Sequence, residues 1–204
     1  MRQFLSLCAL LLVVAGCAPQ KAPYADEATI ARVAYREPGP ATLTLYTVVN
    51  NRTGGGGHTA LMINASQRVI FDPAGSFYAD VVPERNDVLF GITPAVERAY
   101  RGAHARSTFH VVRQTVEVTP QQAEIAYRLA LQSGPVAGAF CASATGQLLR
   151  QIPGFETIKP VMQPTKLQAQ FATLPGVVTD KYYEDDEDNL QMALEEANDW
   201  LNAQ

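Results

Sequence analysis

From residue 41 to 49 the chain alternates, Leu43, Leu45 and Thr47 against Thr42, Thr44, Tyr46 and Val48, and a two-residue period of this kind predicts a strand. Residues 50–57 follow as a turn-rich loop that ends in four glycines. His58-Thr59-Ala60-Leu61-Met62-Ile63 and Arg68-Val69-Ile70-Phe71-Asp72 are two more strand-like runs, joined by Asn64-Ala65-Ser66 and closed by Pro73, and they read as an antiparallel hairpin. With a three-residue loop, Ile63 faces Gln67, and counting outward sets His58 opposite Asp72, where paired side chains share a face. A two-residue loop would place the two residues on opposite faces, so the pattern permits the meeting without forcing it.

Beyond the hairpin, residues 74–90 are irregular and rich in Pro, Gly and Asp, and residues 93–101 read as a short helix with Pro94 in its first turn. Residues 109–118 have strand character through Val111, Thr115 and Val118. Thr119 then caps a helix with Pro120 at its first position, an apolar stripe of Ala123, Ala126, Tyr127, Ala130 and Leu131, and a stop at Gly134-Pro135. A further helix starts near Phe140 and carries Cys141, Thr145, Leu148, Leu149 and Ile152 on one face. Residues 186–204 form a terminal helix with Leu190, Leu194, Ala197 and Leu201 in a stripe and Trp200 beside it, docking on the domain.

The first 16 residues stand apart from these elements. Met1-Arg2 is a basic start, residues 5–14 form an apolar run of signal-peptide length, and Ala15-Gly16 are small residues before a cleavage point. Val14-Ala15-Gly16-Cys17 resembles the lipobox of bacterial lipoproteins, which implies cleavage before Cys17 and acylation of that residue. Several acyl chains give durable anchoring where one does not. Ala18, in place of Asp, resembles the pattern sent on to the outer membrane. Residues 17–40 then read as a tether, and residues 41–204 as one domain.

Composition narrows the chemistry. The chain has 204 residues and three cysteines; Cys8 leaves with the signal, Cys17 is assigned to the anchor, and Cys141 is left without an intrachain partner. A free thiol in an oxidising compartment is a liability unless buried or used. The formal charge of −4, spread without a basic stripe, argues against nucleic acid as a partner. No cofactor or metal is expected, because Gly54 to Gly57 lack the residues of a phosphate or dinucleotide loop and no His or Cys pair has zinc spacing. The acidic run of residues 184–188 lacks the alternation of a calcium loop and reads as a solvated face. His104 and His110 read as surface or strand residues.

Cys141 falls in the first turn of its helix, where unpaired N–H groups and the positive end of the dipole favour a thiolate and can serve an oxyanion. On this helix alone, a buried cysteine acting as a small hydrophobe is an equal alternative. The order of motifs carries more. Gly57-His58-Thr59-Ala60-Leu61, then Val69-Ile70-Phe71-Asp72, then Phe140-Cys141-Ala142-Ser143 running to Leu148-Leu149, over residues 42–155, resemble the circularly permuted branch of the papain-like NlpC superfamily, with its YiiX-like proteins and lecithin retinol acyltransferases. In that branch the histidine precedes the cysteine.

This resemblance implies an α+β fold, an antiparallel sheet packed on a nucleophile-bearing helix. It also implies Cys141 as nucleophile, His58 as base and then acid, and Asp72 as the group that orients the imidazole. The third position varies in the superfamily among His, Asn, Glu, Gln and Asp. Tyr46 and Asn50 are the side chains near enough in sequence to be considered for an oxyanion hole. The expected function is a monomeric, lipid-anchored thiol hydrolase of amide bonds in cell-wall peptides, at an outer membrane facing the periplasm. An acyltransferase or lipid ester hydrolase, and a non-catalytic lipoprotein that binds through the same cleft, stay as alternatives.

Overall fold

The computed structural model describes residues 24–186 and 188–204, so Cys17 and the signal segment lie outside the described residues. A short helix α1 (Glu27–Arg32) is followed by β1 (Thr42–Asn50), β2 (Gly56–Asn64), β3 (Arg68–Phe71), β4 (Glu84–Arg85), β5 (Val88–Leu89), α2 (Pro94–His104) and β6 (Phe109–Glu117). Then come α3 (Pro120–Gln132), α4 (Cys141–Leu149), α5 (Pro164–Phe171), β7 (Val178–Tyr182) and α6 (Leu190–Asn202). The strands form one sheet in the order β4-β5-β3-β2-β1-β6-β7, antiparallel at every pair. The protein is therefore α+β, as expected.

Both faces of the sheet are covered, which explains why β1 and the second half of β2 are buried almost throughout. On one face Leu43, Leu45, Leu61, Ile63 and Phe71 pack with residues of α3, α4 and α5, including Ala126, Leu148 and Phe171. On the other, Tyr46, Ala60, Met62 and Ile70 pack with Val96, Tyr100 and Ala103 of α2 and Leu201 of α6. Side chains alternate along each strand, so one strand feeds two cores. Phe71, fully buried in β3, should cost about 3–5 kcal/mol when replaced by Ala, read as a lower urea midpoint at unchanged slope.

Several expected elements are present with small shifts. Thr93 caps α2, which runs three residues further than Arg101, and Thr119 closes a capping box with Gln122 at the start of α3. The hairpin differs in register. Its loop is Ala65-Ser66-Gln67, with Asn64 paired to Arg68 and Ile63 to Val69. Asn64 is buried in the strand because its side chain accepts the Glu37 N–H and donates to the carbonyls of Glu37 and Pro40, and Arg68 because it pairs with Glu37 and Glu97. These partners lie far away in sequence, so Asn64 reads locally as a turn residue.

The segment read as a tether also folds in part. Asp26 caps α1 through the Thr29 N–H, Ile30 is buried in the core, and Arg36 and Glu37 bond to the hairpin. Between residues 155 and 185 the chain adds α5 and the edge strand β7, which pairs with β6. No helix among the described residues is long and apolar enough to cross a membrane.

Candidate functional site

The two-residue register shift leaves parity unchanged. Asp72, one residue beyond β3, therefore stays on the face of β2 that holds His58, diagonal to it rather than directly opposite. The side chains meet: His58 Nε2 lies 2.7 Å from Asp72 Oδ1. The same carboxylate oxygen accepts the Tyr100 hydroxyl at 2.7 Å, from the middle of α2. Pairing of β2 with β3 stops at Leu61–Phe71, so Thr59 and His58 extend past the end of the neighbouring strand. Cys141 occupies that end. Its sulfur lies close enough to the His58 ring and to the backbone N–H groups of Thr59 and Ala142 for all three to favour the thiolate. With Nε2 committed to Asp72, Nδ1 is the nitrogen that faces the thiol. Cys141, His58 and Asp72 are thus brought together from the first turn of α4, the start of β2 and the end of β3.

Cys141 is 7% exposed, the free cysteine of the described chain. Its helix begins without a side-chain cap, since Phe140 supplies none, whereas Thr93 and Thr119 cap α2 and α3. The first N–H groups of α4 are left by the helix itself without intrahelical acceptors. The approach is strained: Ala139 sits at φ 70°, a left-handed conformation that costs an alanine about 1–2 kcal/mol.

Electrostatics couple the three groups. Burial alone raises the Cys141 thiol, but the hydrogen bond and charge of His58, with the Thr59 and Ala142 N–H groups, bring its pKa below the usual thiol value. Burial works against the imidazolium of His58 as well. The Asp72 charge and hydrogen bond, helped by the Cys141 sulfur, outweigh it and raise the pKa to about 10. Asp72 is pushed up by burial and, more strongly, down by His58, His104 and the Tyr100 hydroxyl, so it stays ionised. The balance favours the thiolate and the imidazolium over what the isolated groups would adopt.

The loop of residues 74 and 75 makes room for the carboxylate. Gly75 leaves the space that Asp72 fills: a Cβ at position 75 would overlap the carboxylate. Ala74, immediately before it, is left-handed at φ 56°.

His104 lies at the end of α2, half-buried beside His58. Its ring stacks on His58 at 5.7 Å and 13°, its Nδ1 lies 2.7 Å from the Tyr100 carbonyl, and burial lowers its pKa. His58, Asp72 and His104 each present one donor atom within 4.8 Å of the others. Tyr100 and His104 are four residues apart on one helical face, the one signal in the sequence that they act together. His110 is a buried strand residue, bonded to Asn51 and stacked on Tyr183. Tyr46 does not serve the site, because its hydroxyl is buried on Glu97 at 2.8 Å. The Asn50 side-chain oxygen is likewise taken by the N–H groups of Arg52 and Thr53 in the loop before β2.

Beside His58 opens a cavity of about 300 Å³, with Val48, Ala103, Phe109 and Leu190 among its apolar walls and Arg106 and Asp188 at its polar side. Comparison of the chain with protein-family models, with curated proteins and with solved structures finds no match.

Proposed function

We propose that the protein is a cysteine hydrolase that cleaves amide bonds through Cys141, His58 and Asp72, in a permuted papain-like arrangement. The observation that carries this reading is the imidazole of His58, held by Asp72 at 2.7 Å and set beside the Cys141 thiol at an uncapped helix start.

In this reading the Cys141 thiolate attacks the scissile carbonyl, and the first-turn N–H groups of α4 receive the negative charge that develops on its oxygen. The imidazolium of His58 gives its Nδ1 proton to the departing amine, leaving a thioester on Cys141 and a neutral ring. That ring takes a proton from an incoming water, hydroxide equivalent adds to the thioester, and the acid departs as the thiolate and imidazolium reform. Asp72 holds the ring by its Nε2–H throughout, as a carboxylate fixes a tautomer in hydrolase triads.

Cell-wall peptide is the proposed substrate, reached from a membrane to which acylated Cys17 tethers the chain, in the cell envelope at the outer membrane. Ester or acyl-transfer chemistry is the second reading, favoured by the apolar walls of the cavity beside His58. A panel of muropeptides and lipid esters separates the two by which is turned over. Detergent partition of the full chain, lost in Cys17→Ser, checks the anchor.

The thiolate is tested by the rate of iodoacetamide capture against pH, using the chain from residue 18. The midpoint is expected well below the free-thiol value of about 8.5. Capture of Cys141 only after denaturation would end the hydrolase proposal, and turnover that survives Cys141→Ala would end the role of the thiol.

A further inference from the structure

The two halves of the site come from distant parts of the chain, and one residue touches both. Arg85 and Val88 close the β4–β5 hairpin over a two-residue turn, Asn86-Asp87, with φ of 54° and 60°. Positive φ at both positions marks the turn type favoured in two-residue hairpins, and Asn and Asp are among the few non-glycine residues that adopt it readily. The Asp87 side chain turns inward and is 1% exposed. Its Oδ2 accepts the Ala74 N–H at 3.1 Å and the Val136 N–H at 2.7 Å, while its backbone carbonyl accepts the Asp72 N–H at 2.8 Å.

Those three bonds reach the loop that carries Asp72 and the loop that delivers Cys141. Both loops hold an alanine in the left-handed region, Ala74 and Ala139. Neither conformation is one an alanine adopts unaided, so the surrounding structure must impose it. A buried carboxylate with two backbone N–H donors imposes geometry well, because leaving those donors unpaired costs more than the bonds themselves contribute.

We infer that Asp87 is a positioning residue of the site, a clasp that sets the loop of residues 72–75 against the loop of residues 136–140 and thereby fixes Asp72 and His58 relative to Cys141. It touches no reacting atom. The inference rests on the hydrolase reading for its consequence in catalysis, but the clasp itself is visible without turnover.

Asp87→Ala and Asp87→Gly remove both side-chain bonds, the glycine without strain at the positive φ, whereas Asp87→Asn keeps one oxygen that can still accept both N–H groups. All are compared with wild type by the downfield imidazole proton of His58 bonded to Asp72, seen in proton NMR, and by the pH dependence of Cys141 alkylation. The expected result for Asp87→Ala and Asp87→Gly is loss or broadening of the His58 resonance and an alkylation midpoint raised by about one pH unit, with Asp87→Asn close to wild type. Adding Ala74→Gly to Asp87→Ala, which relieves the left-handed strain, should restore part of both signals. If Asp87→Ala does not fold, Asp87→Gly decides. A folded Asp87→Gly with the wild-type resonance and alkylation profile overturns the clasp. An ordinary thiol in wild type, with the His58 resonance present and lost in Asp87→Ala and Asp87→Gly, overturns the hydrolase reading and leaves the clasp standing.

Discussion

Replacing His58 by Ala is expected to reduce hydrolysis by about 10²–10⁴-fold, the span general acid–base catalysis supplies, and to return the Cys141 alkylation midpoint to about 8.5. Both effects follow from one ring, because His58 lowers the thiol through hydrogen bond and charge and is the group positioned to protonate the leaving amine. The same variant should change the pH dependence of stability. The His58 pKa is raised in the fold, from 6.5 to about 10, so the stability it contributes is fully present below 6.5 and is lost as pH rises through about 10. Asp72 and Cys141 are shifted downward, so what they contribute is lost as pH falls through their folded values. Up to about pH 9 the growing Cys141 contribution offsets the falling one of His58, so wild type should lose melting temperature chiefly between about pH 9 and 10, and His58→Ala should lack this alkaline decline. A wild-type curve parallel to that of the variant would show that the imidazole is not held charged.

Gly75→Ala is expected to impair the site nearly as severely as removal of Asp72, although position 75 carries no chemistry. The added methyl would occupy the place of the Asp72 carboxylate, and the backbone cannot yield easily, since Gly75 N–H is bonded to the Asp72 carbonyl at 2.9 Å and Asp72 N–H to the Asp87 carbonyl. The carboxylate must leave His58, Tyr100 or both. Steady-state turnover should fall by about 10²-fold, the low end of the general acid–base range, with loss of the downfield His58 resonance. Gly138→Ala is the matched control: it lies in the loop before Cys141, has open space around the new methyl and no left-handed φ, and should leave turnover unchanged. Equal activity in Gly75→Ala and wild type would mean that Asp72 is dispensable or can relocate.

Much of the scaffold was readable because it obeys local rules. The two-residue period of β1, the capping Thr119 with Pro120, and the stripes of α3 and α6 are set by neighbours within a few residues. The elements missed are those with little apolar signal of their own. β7 is an exposed edge strand of Val-Thr-Asp-Lys-Tyr composition, and α5 rests on Leu167 and Phe171 as its principal anchors. Asn64 reads as a turn residue because its partners, Glu37 and Pro40, are not sequence neighbours. The error in register was harmless to the site for a physical reason: side chains repeat every second residue, so a slip of two kept His58 and Asp72 on one face.

By itself, the sequence determined which residues could do chemistry and on what elements they sit: a thiol at a helix start, a histidine opening a strand after glycines, and a carboxylate of matching parity at the end of the next strand. Only the tertiary structure decided that these three meet, that Tyr100 and His104 close in from α2, that Gly75 makes room for the carboxylate, and that Asp87 joins the two loops. Periodicity is a property of adjacent residues. Desolvation, Coulomb coupling and steric room depend on what distant segments place within a few ångströms, and those terms set the protonation of the Cys141–His58 pair.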